Sequence, residues 1–316
     1  MWRLLGLPPL PKDLLEVLVG DPRLEVVVPE AREQAAADAL LPEVDLVLAD
    51  WTQDLKVGDP GPRVAFVQVP RAGVDGIDLE ACAARGVPVA NCAGANAVSV
   101  AAWCLSATFA LIRRTVEGDA AVRRGEWPQT ELGARELSGM RVGVVGMGAI
   151  GAAVASRLEA LGCQVGYWSR REHDVPWTYV PLDELTAASD LVVLVIALGD
   201  ETRRLWDAKR FAAMKPGAVL VNGARGEVLE EAALVEALQS GRLGGAALDV
   251  FDVEPLPADS ILRGAPNLVL SPHMAGATAE AAMRIIGQAK ANLVRVLDGL
   301  PVVDVVNGVP PEVARR

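Results

Sequence analysis

Three short stretches in the second half of the chain each carry one residue suited to acid–base or anion chemistry. They are Leu220-Val221-Asn222-Gly223-Ala224-Arg225-Gly226, Ala247-Leu248-Asp249-Val250-Phe251-Asp252-Val253-Glu254-Pro255 and Leu270-Ser271-Pro272-His273-Met274-Ala275-Gly276-Ala277-Thr278. Each ends an apolar run of strand length, and open parallel sheets place ligands beyond the carboxyl ends of their strands. Arg225, Glu254 and His273 are therefore expected at one edge of one sheet. As a set they suit a 2-oxo acid. A guanidinium can hold a carboxylate and polarise the adjacent carbonyl. An imidazole can protonate the alkoxide that forms as hydride arrives. A carboxylate on the other ring nitrogen orients the imidazole and favours its protonated form. Asp249 could accept from a nicotinamide amide. Taken singly, each has a plainer reading: a histidine after proline is usually structural, Glu254-Pro255 could end a strand, and Arg225 could be a turn residue. Their order behind a dinucleotide fingerprint favours the chemistry.

That fingerprint is Gly146-Met147-Gly148-Ala149-Ile150-Gly151, following the apolar run Arg141–Val145 and opening a helical pattern. Gly146 suits a tight turn, Gly148 lets backbone approach a pyrophosphate, and Gly151 lets the helix pack against the strand. The helix N-terminus then offers N–H groups to the phosphate charge. After the next strand, an NAD site usually has an acid at the adenine ribose. Here the run is Ser169-Arg170-Arg171. A hydroxyl and two guanidinium groups fit a 2′-phosphate, so NADP(H) is favoured and NAD(H) is possible. The competing reading is a pair of solvated arginines.

These motifs need elements to hold them. The chain has 316 residues, enough for about two domains, and half of it is hydrophobic. Its net charge of −11 argues against nucleic-acid and membrane-surface partners. The apolar start is too short for a secretory leader, so a cytoplasmic protein is expected. The four scattered cysteines read as buried thiols, and no metal site is expected.

Strand candidates before the fingerprint are Leu24–Val28, Asp45–Ala49, Val64–Val69 and Val87–Ala90. From it onward come Arg141–Val145, Gln164–Trp168, Leu191–Ile196, Ala218–Val221, Ala246–Val250 and Leu268–Leu270, six strands in all. Helical stretches lie near Ala97–Gly118 and Ala277–Leu297 and read as hinges. The fold class is α/β, with two doubly wound parallel-sheet domains. Residues 1–95 plus 283–316 form a substrate-binding domain, and 96–282 a dinucleotide-binding domain.

At this point the chain resembles the D-isomer-specific 2-hydroxyacid dehydrogenase family over nearly its whole length. Arg71-Ala72-Gly73-Val74-Asp75-Gly76-Ile77-Asp78 is similar to the family's substrate loop. The resemblance implies that backbone N–H groups of Ala72, Gly73 and Val74 bind the substrate carboxylate. It implies catalytic roles for Arg225, Glu254 and His273, an active site in a cleft between Rossmann-like domains, and a homodimer joined through the cofactor domain. It also places Ala197 and Ala224 among the cofactor-binding residues. Tyr167-Trp168-Ser169-Arg170-Arg171 resembles the NADP-dependent glyoxylate and hydroxypyruvate reductases. Trp51 lies near where the family builds one wall of the substrate pocket; otherwise it is an edge core aromatic.

The expected activity is reduction of a small 2-oxo acid to the D-2-hydroxy acid with NADPH. One alternative is an NAD-dependent, phosphoglycerate-type dehydrogenase, for which Arg71 is the extra cation available. Another is a dinucleotide-sensing, corepressor-like protein without turnover. Such proteins tend to carry long tails or insertions, and neither is evident.

Overall fold

The computed structural model describes residues 1–52 and 54–316. The chain divides into two units, Met1–Asn96 with Ala279–Arg316, and Ala97–Thr278. The cuts fall at the first residues of two long helices, whereas the sequence places them at 95/96 and 282/283.

The first unit contains β1 (Trp2–Gly6), α1 (Lys12–Val19), β2 (Leu24–Val27), α2 (Gln34–Leu40), β3 (Leu46–Leu48), β4 (Phe66–Gln68), α3 (Leu79–Ala84) and β5 (Val89–Ala90). The strands form a sheet in the order β2-β1-β3-β4-β5, with each pairing parallel. Alternate residues supply its two faces. Leu4, Leu46 and Phe66 join one core, while Leu5, Val47 and Val67 join the other. β1 is absent from the strand candidates above. Trp2-Arg3-Leu4-Leu5-Gly6 has a charge inside its apolar run, yet it is paired on both sides, and Leu4 and Leu5 are fully buried.

The second unit opens with α4 (Ala97–Ile112) and α5 (Thr115–Arg123). The single helical stretch expected there is interrupted because Arg114 takes a left-handed backbone, φ 53°. Then come β6 (Arg141–Val145), α6 (Ala149–Ala160), β7 (Gln164–Trp168), β8 (Thr178–Tyr179), α7 (Leu182–Ala188) and β9 (Leu191–Leu194). They are followed by α8 (Ala208–Ala213), β10 (Ala218–Asn222), α9 (Glu231–Gln239), β11 (Leu243–Leu248) and β12 (Leu268–Leu270). The last helix, α10 (Ala279–Leu297), returns to the first unit. No single helix among the described residues is long and apolar enough to cross a membrane.

The second sheet is wholly parallel, in the order β12-β11-β10-β9-β6-β7-β8. It has seven strands, not six. The extra one, β8, is a two-residue edge strand with too little pattern to detect. β11 also starts three residues before the expected Ala246. It begins Leu-Gly-Gly, a composition that strand propensity disfavours. The two glycines are needed for space: a Cβ on Gly244 would lie 2.5 Å from the Gly217 carbonyl oxygen. Strand order reverses between β6 and β9, which is the switch point where such sheets bind ligands.

Candidate active site

β10, β11 and β12 are adjacent and parallel, so the loops after them emerge side by side. Those loops carry Arg225, Glu254 and His273. Arg225 is placed by Asn222, the fully buried last residue of β10. Asn222 Oδ1 accepts from Ala224 N at 3.0 Å, and its Nδ2 donates to the Arg225 carbonyl at 3.0 Å. Gly226 follows because a side chain has no room there: its Cβ would sit 1.9 Å from the Phe251 carbonyl carbon. The arginine loop and the loop bearing Glu254 are thus in backbone contact.

Glu254 is held at both carboxylate oxygens. Oε1 accepts from Phe251 N at 2.9 Å, and Oε2 lies 2.6 Å from His273 Nδ1. The histidine side chain is 41% exposed and the glutamate 34%, so the pair is reachable by a small molecule. Partial burial pushes the Glu254 carboxyl up. The hydrogen bonds from His273 and Phe251, with the positive charges of His273 and Arg225, outweigh it and hold it below the usual range. Arg225 is therefore electrically coupled to the pair.

His273 has a left-handed backbone, φ 50°, which a non-glycine residue adopts only when its surroundings enforce it. Asp249, 1% exposed, does the enforcing. Its Oδ1 accepts from Ser271 Oγ at 2.6 Å and Met274 N at 2.9 Å, and its Oδ2 accepts from Ala275 N at 2.7 Å. Its carbonyl accepts from His273 N at 2.8 Å. Here the carboxylate expected to face a nicotinamide amide is occupied by the turn that presents the histidine.

The glycine loop joins β6 to α6 beside the switch point. Gly146 has φ 104°, and a Cβ there would meet Ile196 and the Val195 carbonyl at 2.7 Å. On Gly151, a Cβ would stand 1.9 Å from the Gly146 carbonyl oxygen. Gly148 differs, since its Cβ direction is open, and Gly148 and Ala149 are exposed at the start of α6. Met147 is buried and Ile150 half-buried beneath them. Open backbone at a helix N-terminus fits a pyrophosphate. Ala197, exposed, follows β9 on the other side of the switch point, and Ala224 is buried beside Arg225. Arg170 and Arg171 are exposed and form no ion pair among the described residues. Ser169, expected to face a phosphate, is 6% exposed, and its hydroxyl donates to the Arg171 carbonyl.

In the first unit, Arg71–Asp75 follows β4. The carbonyls of this loop are tied down: Arg71 O accepts from Cys92 N at 2.9 Å, Ala72 O from Asn91 Nδ2 at 2.6 Å, and Val74 O from Ile77 N at 3.1 Å. The N–H groups of Ala72, Gly73 and Val74 have no acceptor among the described residues. That polarity is what an anion requires.

Comparison with known proteins gives this arrangement its relatives. Residues 105–275 match the family model for the NAD-binding domain of D-isomer specific 2-hydroxyacid dehydrogenases. A glyoxylate reductase of Thermofilum pendens is 36% identical over 282 residues, covering 86% of this chain and 83% of that protein. The chain belongs to the D-isomer-specific 2-hydroxyacid dehydrogenase family. A D-3-phosphoglycerate dehydrogenase of Archaeoglobus fulgidus is 32% identical, with 90% of this chain and 55% of that protein covered. Among solved structures, an NADPH-dependent glyoxylate/hydroxypyruvate reductase of Sinorhizobium meliloti, in complex with NADP and malonate, aligns with a TM-score of 0.84 at 29% identity. That alignment covers 99% of both chains. The protein is an NAD(P)-dependent oxidoreductase acting between 2-hydroxy and 2-oxo acids.

Some residues that hold these loops, each within its own unit, have no task assigned from the sequence. Asn222 stands within a quoted motif but has no assigned task, and Asn91 and Ser271 have none either. Each acts through backbone or carboxylate contacts that only the folded loops create. Trp51, following β3, is half-buried and lines an apolar pocket with Leu15, Leu48, Ile286 and Leu293. Within its own unit it has the neighbours of a core-edge aromatic.

Proposed function

We propose that the protein reduces a small 2-oxo acid of the glyoxylate or hydroxypyruvate class to the D-2-hydroxy acid, with NADPH as reductant. The observation that carries this reading is the 2.6 Å contact between Glu254 and His273 Nδ1 at adjoining strand ends, coupled to Arg225. Bound NADPH supplies hydride to the keto carbon. Arg225 holds the carboxylate and polarises the carbonyl. His273, with Nδ1 on Glu254, has Nε2 free to give a proton to the oxygen. Glu254 fixes the orientation of the ring through Nδ1. Ala72, Gly73 and Val74 are assigned to the carboxylate through their N–H groups, and Trp51 to the apolar side of the substrate. Gly146–Gly151, Ala197 and Ala224 are assigned to the cofactor, Arg170 and Arg171 to its 2′-phosphate, and Asp249 to holding the turn that carries His273.

The homodimer is assigned to the cofactor unit, where Val98, Phe109, Val116, Val122 and Trp127 leave apolar surface exposed. Four free, buried cysteines suit a reducing, cytoplasmic setting. A phosphoglycerate-type substrate would call on Arg71. That guanidinium donates to the Asp75 carbonyl and lies 3.8 Å from the Asp75 carboxylate, so it serves its own loop.

The test is NADPH oxidation measured across glyoxylate, hydroxypyruvate, pyruvate and bulkier 2-oxo acids, repeated with NADH. Turnover on the two smallest substrates with NADPH preferred is the expected result. Tight cofactor binding without turnover on any of them would replace this reading with dinucleotide sensing.

A further inference from the structure

We propose that Tyr167 is a positioning residue for cofactor choice: its buried hydroxyl fixes the loop that presents Arg170 and Arg171 to a 2′-phosphate. The proposal rests on the NADPH reading above and adds to it a residue that touches neither cofactor nor substrate.

Tyr167 is the fourth residue of β7 and is fully buried, with its ring edge-on to Tyr179 at 5.6 Å. A phenylalanine would fill the same volume without taking a hydroxyl out of water, so the hydroxyl needs a reason to be there. Both of its hydrogen-bonding functions are spent on one residue. It accepts from His173 N at 2.9 Å and donates to the His173 carbonyl at 3.1 Å. The chain from 167 to 173 is thereby closed into a ring through a side chain that cannot move. Inside that ring the Ser169 hydroxyl donates to the Arg171 carbonyl, a second clamp across the same turn.

Within the outer clamp stand Arg170 and Arg171, exposed and without ion pairs among the described residues. Glu172 and Asp174 lie close in sequence. A loose turn would let those carboxylates compete with phosphate for the guanidinium groups. A turn tied at His173 presents the arginines already ordered, which lowers the conformational entropy lost on binding. His173, which has no task in the sequence reading, contributes its backbone rather than its imidazole. The clamp acts only on the element that recognises the 2′-phosphate, so its removal should leave a nucleotide lacking that group unaffected.

The experiment is Tyr167→Phe, with Ser169→Ala as an independent variant on the second clamp. Binding of adenosine 2′,5′-bisphosphate and of 5′-AMP to each protein is measured by calorimetry, alongside kcat/KM for NADPH and NADH. The expected result for Tyr167→Phe is a roughly 10-fold weaker affinity for the bisphosphate, with 5′-AMP and NADH changed by less than about 2-fold. Ser169→Ala should act in the same direction, which keeps the idea testable should Tyr167→Phe fold poorly. Equal losses for both nucleotides would reduce Tyr167 to a structural residue and overturn the proposal. So would unchanged discrimination in both variants while Arg171→Ala abolishes it, an outcome that leaves the NADPH reading standing. A parent protein that prefers NADH and 5′-AMP would instead bring down the NADPH reading itself, and this proposal with it.

Discussion

His273 and Glu254 show how little separates a structural pair from a reactive one. A 2.6 Å contact at full burial would be a tie between loops, whereas here both side chains remain about a third exposed or more. His273→Ala should lower kcat by about 10²-fold or more while NADPH affinity stays within about 2-fold, read by steady-state kinetics and fluorescence titration. A rate within a few-fold of the parent would remove the histidine from its role. Arg170→Ala with Arg171→Ala should raise KM for NADPH by about 10-fold or more and leave KM for NADH unchanged. Asp249 and Asn222 act one step back: each sets the backbone of a residue proposed to touch substrate.

At the scale of elements, the site depends on loops that approach more closely than side chains permit. Gly226 is the clearest case, with 1.9 Å available between its Cβ position and the Phe251 backbone. Gly226→Ala must push the Arg225 loop away from the loop that holds Glu254. It should cost about 2 kcal/mol or more in urea unfolding and most of kcat. Gly199→Ala is the matched control, since nothing lies within 4 Å of its Cβ position. That substitution should stay within about 0.5 kcal/mol of the parent. The glycine run of the cofactor loop obeys the same logic, with Gly146 and Gly151 packed against backbone and Gly148 left open.

The whole molecule carries its charge and its thiols in ways that can be titrated. Burial pushes the fully buried Asp45 carboxyl up, but Arg3 N–H, Arg63 and Arg315 outweigh it and leave it lowered. Asp190 is lowered in the same way by Lys215 and the Arg141 N–H. A carboxyl lowered in the folded state stabilises above its unfolded pKa, near 4, and that stabilisation is lost as pH falls through the folded value. Stability should therefore hold to about pH 4 and drop below it. Asp45→Asn should flatten that drop in thermal melts taken across the acid range. Burial also pushes the Cys104 and Cys92 thiols to about 12 and Cys82 to about 11, and raises Cys163. The native protein should leave all four unlabelled by an aromatic disulfide reagent at neutral pH, and denaturant should expose all four.

The amino-acid order alone determined the glycine spacing after β6, the alternation of strands and helices, and which side chains, Arg225, Glu254 and His273, follow the ends of neighbouring strands. Each is a local signal: a glycine spacing, a run of apolar residues, a reactive side chain just past a strand. β8 escaped because a two-residue strand declares itself only through its neighbours, β1 because Arg3 breaks its apolar run, and the start of β11 because its glycines answer to a backbone remote in sequence. Tertiary structure decided which loops adjoin and what fixes them. Asn91, Asn222, Asp249 and Tyr167 work by hydrogen-bonding backbone that folding brings to them, and no spacing in the chain encodes that encounter.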